Sequence, residues 1–477
     1  MRASKWHTVA AMAAGVCLYA WFLYVTRAGL ACWFDGDDLM NLHYYWSRPW
    51  SALLQANLAF WSSYYRPAGG LFYRTIYALW GLHPLPFRVA AMVLLSVNYA
   101  LLAVVVWQLT RSRWGALIVL FLFGSNPAFA WAYFDGGNIY DILAYTFFWG
   151  AFALYVRHRQ AGRQIGWGGL ALIFCMFAAA LDSKEISVSL PAAVGLYELV
   201  WQPPASWKPA ELWRWIWHEG LFAAVGALAG IAFIAGKRYG PDSLWLVTSY
   251  TPHYSVAAYV QSLAHYLCAL IYKPVTISAW QITGILAVML GVAAIARRRC
   301  LLWSVGFIAV GVLPLAFIAG RSGTAYMVPS VGWAVYIADL SAWLLASLTG
   351  TRVWLRRAVQ ALVFTVLVIK LAPWQRRWND MQAHSAEESQ GRFRYYIEQI
   401  HALIPAPREG ARILLLSDAD GRDDYDVFFL MRLYYGDSTL KVERMTVWRN
   451  QYVHIDPTGY DYVLDWRQNR FVLVRYK

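Results

Sequence analysis

The sequence has few charged residues and few cysteines. Asp, Glu, Lys and Arg make up 14% of its 477 residues, while 59% are hydrophobic and the mean hydropathy is +0.39. Soluble domains carry about 25% charged residues, so the composition excludes an ordinary soluble protein. The five cysteines are scattered without a C-x-x-C pair, which excludes a disulfide scaffold and a zinc ribbon. The P-loop, G-x-G-x-x-G and H-E-x-x-H motifs are also absent, and with them the common signatures of phosphate-cradling loops and zinc proteases.

Long apolar runs recur along the chain, each near the roughly 20 residues that a helix needs to cross a bilayer. We predict a polytopic all-α membrane bundle of about eleven transmembrane helices. The predicted spans lie near 8–25, 88–109, 114–133, 142–156, 166–182, 186–200, 220–236, 280–296, 301–319, 325–346 and 357–373. The apolar stretch 255–272 is predicted to be an interfacial or re-entrant helix, because a further span there would break the alternation of charged connections.

The net charge of +14 is distributed in a way that indicates membrane topology. Basic residues cluster in alternate connections between the apolar runs, which is the positive-inside pattern of membrane proteins. We therefore predict a cytoplasmic N-terminus, an extracytoplasmic C-terminus and no binding of nucleic acid. Sparse Lys with abundant Arg and Trp favours a bacterial inner membrane. The clusters are Arg111 and Arg113; Arg157, Arg159 and Arg163; Lys208 and Arg214; Arg297 to Arg299; and Arg352, Arg356 and Arg357.

Two parts of the chain are distinguished by polarity. Residues 1–373 form the predicted membrane domain, with a long outer loop at 27–87, and residues 374–477 form a small extracytoplasmic α/β domain. In the second part, RILLLSD, LKVERMTV, YDYVLDW and RFVLVRY have the alternating pattern typical of strands, and DVFFLMRLYYG predicts a helix.

Five short polar stretches interrupt the apolar sequence, and the predicted topology places all of them at the outer face. Acids and bases at the outer ends of several spans predict a cavity that opens to the outside. The stretches are FDGDD with Asp35, Asp37 and Asp38; YFDGGNIYD with Asp135, Asn138 and Asp141; LDSKE with Lys184 and Glu185; GRSGTAYMVPS with Arg321 and Tyr326; and YYRP with Arg66.

These residue types suit transfer from a phosphate-linked donor. A carboxylate of FDGDD can deprotonate a hydroxyl acceptor or ligate a divalent metal. Arg321, Lys184 and Arg66 can bind a phosphate leaving group through charge-assisted hydrogen bonds. Structural roles stay open as well: Lys184 and Glu185 can neutralise each other, and Arg321 can extend to the membrane interface.

The order of the motifs resembles a known family. FDGDDLMNL, GGNIYDILAYTFFWGAFALYVR, LDSKEISVSLPAAVGLYEL and GTAYMVPSVGWAVYIAD, between about residues 34 and 340, are similar to the glycosyltransferase C superfamily. Within it they resemble the protein O-mannosyltransferase-like branch, specifically the membrane part of the tetratricopeptide-repeat mannosyltransferases and their bacterial relatives. The chain departs from that branch in lacking the repeats and in separating Arg321 from Tyr326 by Ser-Gly-Thr-Ala.

The resemblance implies an inverting transfer of a sugar from a polyprenyl-phosphate donor, which approaches through the membrane lipids. The acceptor is a hydroxyl on a protein, glycan or lipid. The catalytic base is then Asp37 or Asp38, with Asp37 preferred, while Lys184 and Arg321 contact the lipid phosphate. Asp35, Asp141, Glu185 and Tyr326 shape the site.

Three other functions are compatible with many membrane spans. A transporter or flippase of lipid-linked sugars would place ionisable groups at the bilayer midplane and show repeat symmetry, and neither feature is evident. A ligase or polymerase of the O-antigen type would use a large late outer loop. A membrane anchor for a C-terminal binding domain would need only one span.

Overall fold

The computed structural model describes residues 2–59, 65–162, 165–239, 251–271, 276–318, 320–321, 323–418, 426–445 and 456–474. Most of the chain is helical. In chain order the helices are α1 (Arg2–Thr26), α2 (Gly36–Tyr45), α3 (Trp50–Leu58), α4 (Pro67–Trp80), α5 (Pro84–Thr110), α6 (Arg113–Gly124), α7 (Ala130–Phe134), α8 (Ile139–Gln160), α9 (Trp167–Ser183), α10 (Leu190–Trp201), α11 (Pro209–His218), α12 (Leu221–Tyr239), α13 (Val256–Ile271), α14 (Ala279–Ala296), α15 (Arg299–Gly311), α16 (Leu313–Ala316), α17 (Met327–Thr349), α18 (Val353–Leu403) and α19 (Asp426–Tyr435).

The protein is an integral multi-pass membrane protein. Within the described residues, seven helices are long and apolar enough to cross a bilayer, and α6 with α7 makes an eighth if this pair, bent by 50°, counts as one span. The predicted class is confirmed, whereas the predicted number of eleven is not. The other predicted spans fall on α9 with 17 residues, on α10 with 12 residues, and inside α18. The seven are Val9–Leu30, Pro84–Thr110, Gly136–Gln160, Leu221–Tyr239, Ala279–Ala296, Arg299–Ala316 and Gly323–Thr349.

Helix α8 is the centre of the bundle, because 78% of its most apolar stretch is buried. It packs against α5, α9 and α17. Its Trp149 lies edge-on to Phe307 with ring centroids 5.4 Å apart, and Phe307 stacks on Trp303 at 5.1 Å. Large aromatic side chains of this kind fix helix positions through extensive contact and defined ring geometry. These contacts fix the middle of α8 against α15, and the helix begins within the YFDGGNIYD stretch.

Buried ion pairs join helices near the basic connections. Glu198 is fully buried and accepts two hydrogen bonds of 2.8 Å from Arg159. Asp339 is also fully buried and accepts from Arg298 at 2.9 Å. Losing one partner would leave an uncompensated buried charge, which is strongly unfavourable, so these pairs fix the connections that the sequence predicts to be cytoplasmic.

The C-terminal part contains the predicted small sheet. Strands β1 (Arg412–Leu415), β2 (Lys441–Arg444), β3 (Tyr462–Arg467) and β4 (Arg470–Val474) lie in the order β2-β1-β3-β4. Strand β1 is parallel to β2 and β3, whereas β3 and β4 form an antiparallel hairpin. The hairpin turns at Gln468 and Asn469, both with positive φ, as two-residue hairpin loops require. Strands β1, β2 and β4 and helix α19 lie within the predicted segments, and β3 extends one residue beyond its segment, to Arg467.

The predicted boundary between residues 373 and 374 falls inside α18. This helix of 51 residues continues through Pro373, so the change from apolar to polar sequence occurs without a break in the helix. Its second half buries Phe393, Tyr396 and Ile397, and Tyr396 contacts Trp466 and Phe471 of the sheet. One helix thus connects the membrane bundle directly to the core of the small domain.

Candidate functional site

The five polar stretches meet in one cavity of about 720 Å³. It lies among α2, α8, α12, α16 and the 3₁₀ turn Glu185–Ser189. The sequence predicts this convergence from topology alone, and the structure brings a side chain from every stretch to the cavity. The charged and amide side chains that line it are Asp37, Asn41, Arg66, Asn138, Asp141, Lys184, Glu185, Lys237 and Arg321.

Helix α2 begins with a capping box formed by FDGDD. The Asp35 carboxylate accepts a 2.7 Å hydrogen bond from the Gly36 N–H, and Asp38 accepts a 3.3 Å bond from the Asp35 N–H. Such reciprocal bonds satisfy N–H groups that a helix end leaves unpaired. Asp35 also accepts from the Ser389 hydroxyl of α18 at 3.2 Å. Asp35 therefore shapes the site from outside the cavity lining by fixing the start of α2.

Asp38 is held behind the cavity wall. Its side chain is buried, and one oxygen accepts from the guanidinium of Arg88 at 3.1 Å and from the Gly136 N–H at 3.3 Å. A Cβ on residue 136 would overlap this carboxylate, so the glycine permits the close approach. Burial raises the pKa of Asp38, and the positive charge of Arg88 opposes that shift. Because of these contacts Asp38 positions the first turn of α2, and Asp37 is the candidate base.

Asp37 is exposed to the cavity. Within the described ranges its carboxylate accepts no hydrogen bond, while its carbonyl accepts from the Asn41 amide at 2.6 Å. Asn41 in turn accepts from the Tyr140 hydroxyl at 2.9 Å, which ties the first turn of α2 to α8. Partial withdrawal from water and the nearby Asp35 raise the pKa of Asp37, opposed by Arg66. A carboxylate with a raised pKa is a stronger general base.

Lys184 and Glu185 each form an ion pair with a residue of another stretch. Lys184 donates to Asp141 at 2.5 Å. Glu185 accepts from two nitrogens of Arg66, at 2.9 and 3.3 Å. Although burial opposes the charge of Glu185, Arg66 holds its pKa down to about 2. Burial also lowers the pKa of Lys184, an effect that Asp141 counteracts.

Arg66 adopts an unusual backbone conformation at the start of α4. Its φ of 50° is in the left-handed region, which costs a non-glycine residue of order 1 kcal/mol or more. Its guanidinium lies 4.5 Å from the ring centre of Tyr65 and 5.2 Å from that of Tyr140. The bidentate pair with Glu185 and these rings hold the guanidinium at the cavity surface despite the strain.

Arg321 and Tyr326 have different positions. Arg321 lines the cavity, and its carbonyl lies 2.9 Å from Nε2 of His265 on α13. Tyr326 is 1% exposed and stacks on Tyr266 with ring centroids 4.6 Å apart. Tyr326 therefore does not line the cavity, and it packs the start of α17 against α13.

Three residues of this region were not predicted from the sequence. Lys237 lines the cavity from the end of α12; its position at the end of an apolar run was the available signal. Arg88, near the start of a predicted span, binds Asp38, and Tyr73 contacts both Asp38 and the Gly136 carbonyl. A cation inside an apolar helix signals a buried acidic partner, but the sequence does not identify that partner.

Besides the polar residues the cavity has an apolar lining, which we call the apolar wall. Four cationic and three carboxylate side chains line the polar side within the described residues. The combination suits a ligand with an anionic head and a hydrocarbon tail, because apolar surface and convergent polar groups determine what a pocket binds. The apolar lining includes Val188, Ala192, Ile234, Val310, Leu313, Leu315, Phe317 and Ile318.

No described group of three His, Cys, Asp or Glu side chains could hold a metal ion. No family model matches the chain, and no significant match is found among curated proteins.

Proposed function

We propose that the protein is a membrane glycosyltransferase, which transfers a sugar from a polyprenyl-phosphate donor to a hydroxyl acceptor on a protein, glycan or lipid. The observation that carries this proposal is the amphipathic cavity. It places the exposed carboxylate of Asp37 with the cations Lys184 and Arg321, beside an apolar wall. This arrangement supports a donor whose phosphate binds the cations and whose chain extends along the apolar wall towards the lipid.

In the proposed reaction, Asp37 takes the proton of the acceptor hydroxyl. The acceptor oxygen attacks the anomeric carbon on the side opposite the phosphate, and the bond between that carbon and the phosphate oxygen breaks. The sugar is transferred with inversion, and the polyprenyl phosphate leaves carrying the bonding electron pair. Lys184, Arg321 and Arg66 stabilise the negative charge that develops on the phosphate.

We also propose the number of spans and their orientation in the membrane. Eleven spans, with α9, α10 and the first half of α18 crossing the bilayer, put the N-terminus in the cytoplasm. The cavity and the sheet domain are then on the outer side. Basic connections such as Arg297 to Arg299 support this orientation through the positive-inside rule. We propose a bacterial inner membrane as the location.

A turnover assay tests the proposal. Purified protein in nanodiscs is given a panel of polyprenyl-phosphate sugars, and the release of polyprenyl phosphate is measured with and without chelator and divalent metal. Asp37→Asn is expected to lower turnover by about 10²–10⁴-fold, as loss of a general base does, while donor binding persists. Glu211→Gln, a change to a carboxylate on α11 outside the cavity lining, is the matched control.

The assay also separates the transferase from a flippase. If no donor is turned over, while the wild-type protein moves lipid-linked sugar between leaflets, the transferase proposal is wrong. Loss of turnover on chelation that a divalent metal restores would assign a metal to the reaction. Unchanged turnover in Asp37→Asn would remove Asp37 from the base role.

A further inference from the structure

A second cavity, of about 850 Å³, lies between α1 and α18. None of its lining residues belongs to the candidate site. We call it the α1–α18 groove and define it by its lining: Trp21, Tyr24, Ala372, Pro373, Arg376, Arg377, Asp380, Met381 and His384.

The groove lies where α1 ends and where α18 changes from apolar to polar sequence. Helix α1 ends at Thr26 and is followed directly by Arg27, and the apolar half of α18 ends at Pro373. The Trp21 indole donates a 3.0 Å hydrogen bond to the Gln375 side chain. This bond places the end of α1 beside the end of the apolar half of α18. Trp and Tyr at such a transition are typical of the membrane–water interface. The groove is therefore at the depth of lipid headgroups.

Positive charge is concentrated at this level. The guanidinium of Arg27 lies 4.1 Å from the ring centre of Tyr24, and that of Arg376 lies 5.7 Å from the same ring. Arg377 is exposed and lines the groove beside them. The one carboxylate among the lining residues is Asp380, an exposed side chain 3.5 Å from Arg376. An exposed pair of this kind contributes little free energy, so Arg376 can exchange Asp380 for an anionic ligand at small cost.

Below the headgroup level both helices present apolar surface. Exposed side chains include Met12 and Val16 on α1 and Val366 and Ile369 on α18. Both helices therefore present hydrocarbon-compatible surface in addition to the guanidinium groups and aromatic rings that line the groove. Free phosphate would use only the guanidinium groups.

We propose that the α1–α18 groove binds the phosphate headgroup of an anionic membrane phospholipid. Arg376 and Arg377 contact the phosphate, Arg27 adds a third positive charge, and Trp21 and Tyr24 pack against the glycerol region. Each basic side chain near an anionic lipid surface adds about fivefold to the attraction. The site is separate from the proposed donor cavity and does not depend on the transferase proposal.

The test uses the full chain purified in detergent with mixed phosphatidylglycerol and phosphatidylcholine. Native mass spectrometry measures how many molecules of each lipid stay bound as detergent is increased. The wild type is expected to retain phosphatidylglycerol preferentially, and Arg376→Gln/Arg377→Gln is expected to lower that preference about tenfold or more. Both side chains are exposed, so the variant keeps its fold, which size-exclusion and circular dichroism verify.

Arg352→Gln/Arg357→Gln is the matched control, because it removes two exposed arginines from the opposite end of the apolar half of α18. The control is expected to keep the wild-type preference. An equal loss of the phosphatidylglycerol preference in both variants would show that the preference depends on total charge. It would contradict a binding site in the groove. Retention of phosphatidylglycerol by Arg376→Gln/Arg377→Gln, no preference in the wild type, or displacement of the lipid by inorganic phosphate would also overturn the proposal.

Discussion

Arg88 donates a hydrogen bond to the buried carboxylate of Asp38 across 3.1 Å. This ion pair distinguishes the two adjacent aspartates, either of which the sequence analysis allows as the base, with Asp37 preferred. Asp38 is committed to Arg88 and the Gly136 N–H, whereas Asp37 is exposed to the cavity. The pair thereby anchors the first turn of α2, from which the candidate base projects.

Removing one partner of that pair tests its structural role. Asp38→Asn leaves the Arg88 charge buried without its counter-ion, which costs roughly 3–5 kcal/mol when a buried pair is broken. We expect a clear drop in the thermal unfolding midpoint in detergent. The double variant Asp38→Asn/Arg88→Met removes both charges and should recover part of the loss. A double variant as unstable as the sum of the two single variants would contradict the pairing.

The pKa of Asp37 predicts a pH dependence of turnover. Partial burial and Asp35 raise this pKa above the usual 3.8, so the carboxylate takes up a proton at a higher pH than an ordinary aspartate. Acidification should therefore lower kcat/KM with a midpoint above 3.8, measured between about pH 4 and pH 8 with a donor that is turned over. An acid limb that stays flat down to the ordinary aspartate value would show that Asp37 is not the base.

The Glu185–Arg66 pair predicts a different pH dependence, that of stability. The pKa of Glu185 is about 2 in the folded protein, against 4.5 for an unperturbed glutamate. Between these values the folded state binds fewer protons, so the stabilisation is complete above pH 4.5 and is lost as the pH falls towards 2. The stability difference between wild type and Glu185→Gln should be constant at neutral pH and shrink below 4.5. Glu211→Gln, which removes a carboxylate on α11 outside the cavity lining, is the matched control.

The sheet domain contacts the helix that carries the candidate base. His43 of α2 lies with its ring 4.9 Å from Phe429 and 5.3 Å from Phe428 of α19, and Tyr77 donates to the Leu433 carbonyl at 2.6 Å. Phe429→Ala should lower kcat while donor binding persists, because α2 loses support without losing a phosphate contact. Tyr395→Phe, on the exposed side of the same domain, is the control. Equal donor turnover in Phe429→Ala and wild type would contradict this positioning role.

The segments of the fold were largely predictable, since hydrophobic periodicity marks helices and strands directly. The four strands begin within the alternating segments, and α19 lies within the segment predicted as a helix. The span count was harder to predict, because apolar runs do not reveal breaks such as that between α6 and α7. A run that is interrupted by a 3₁₀ turn, as at Glu185–Ser189, has the composition of a span but not one continuous helix.

The site was predictable as a set of stretches but not as a set of contacts. Topology places charged helix ends together, so the meeting of FDGDD, LDSKE and GRSGTAYMVPS in one cavity follows from the sequence. The sequence does not predict which carboxylate is exposed. Neighbouring residues on a helix point about 100° apart, and only packing decides which side is covered. For the same reason the partners of Lys184 and Glu185 emerged only from the fold.

Photocrosslinking tests whether one cavity holds a lipid-linked phosphate with Asp37 at the reacting end. A polyprenyl-phosphate analogue with a diazirine on the first isoprene unit would be activated in the presence of the protein, and labelled peptides would be located by mass spectrometry. We expect labelling of the apolar wall, at Val188, Ile234 and the segment 310–318. Polyprenyl phosphate should reduce this labelling, whereas polyprenol should not. Labelling only outside the cavity, or equal competition by polyprenol, would contradict this expectation.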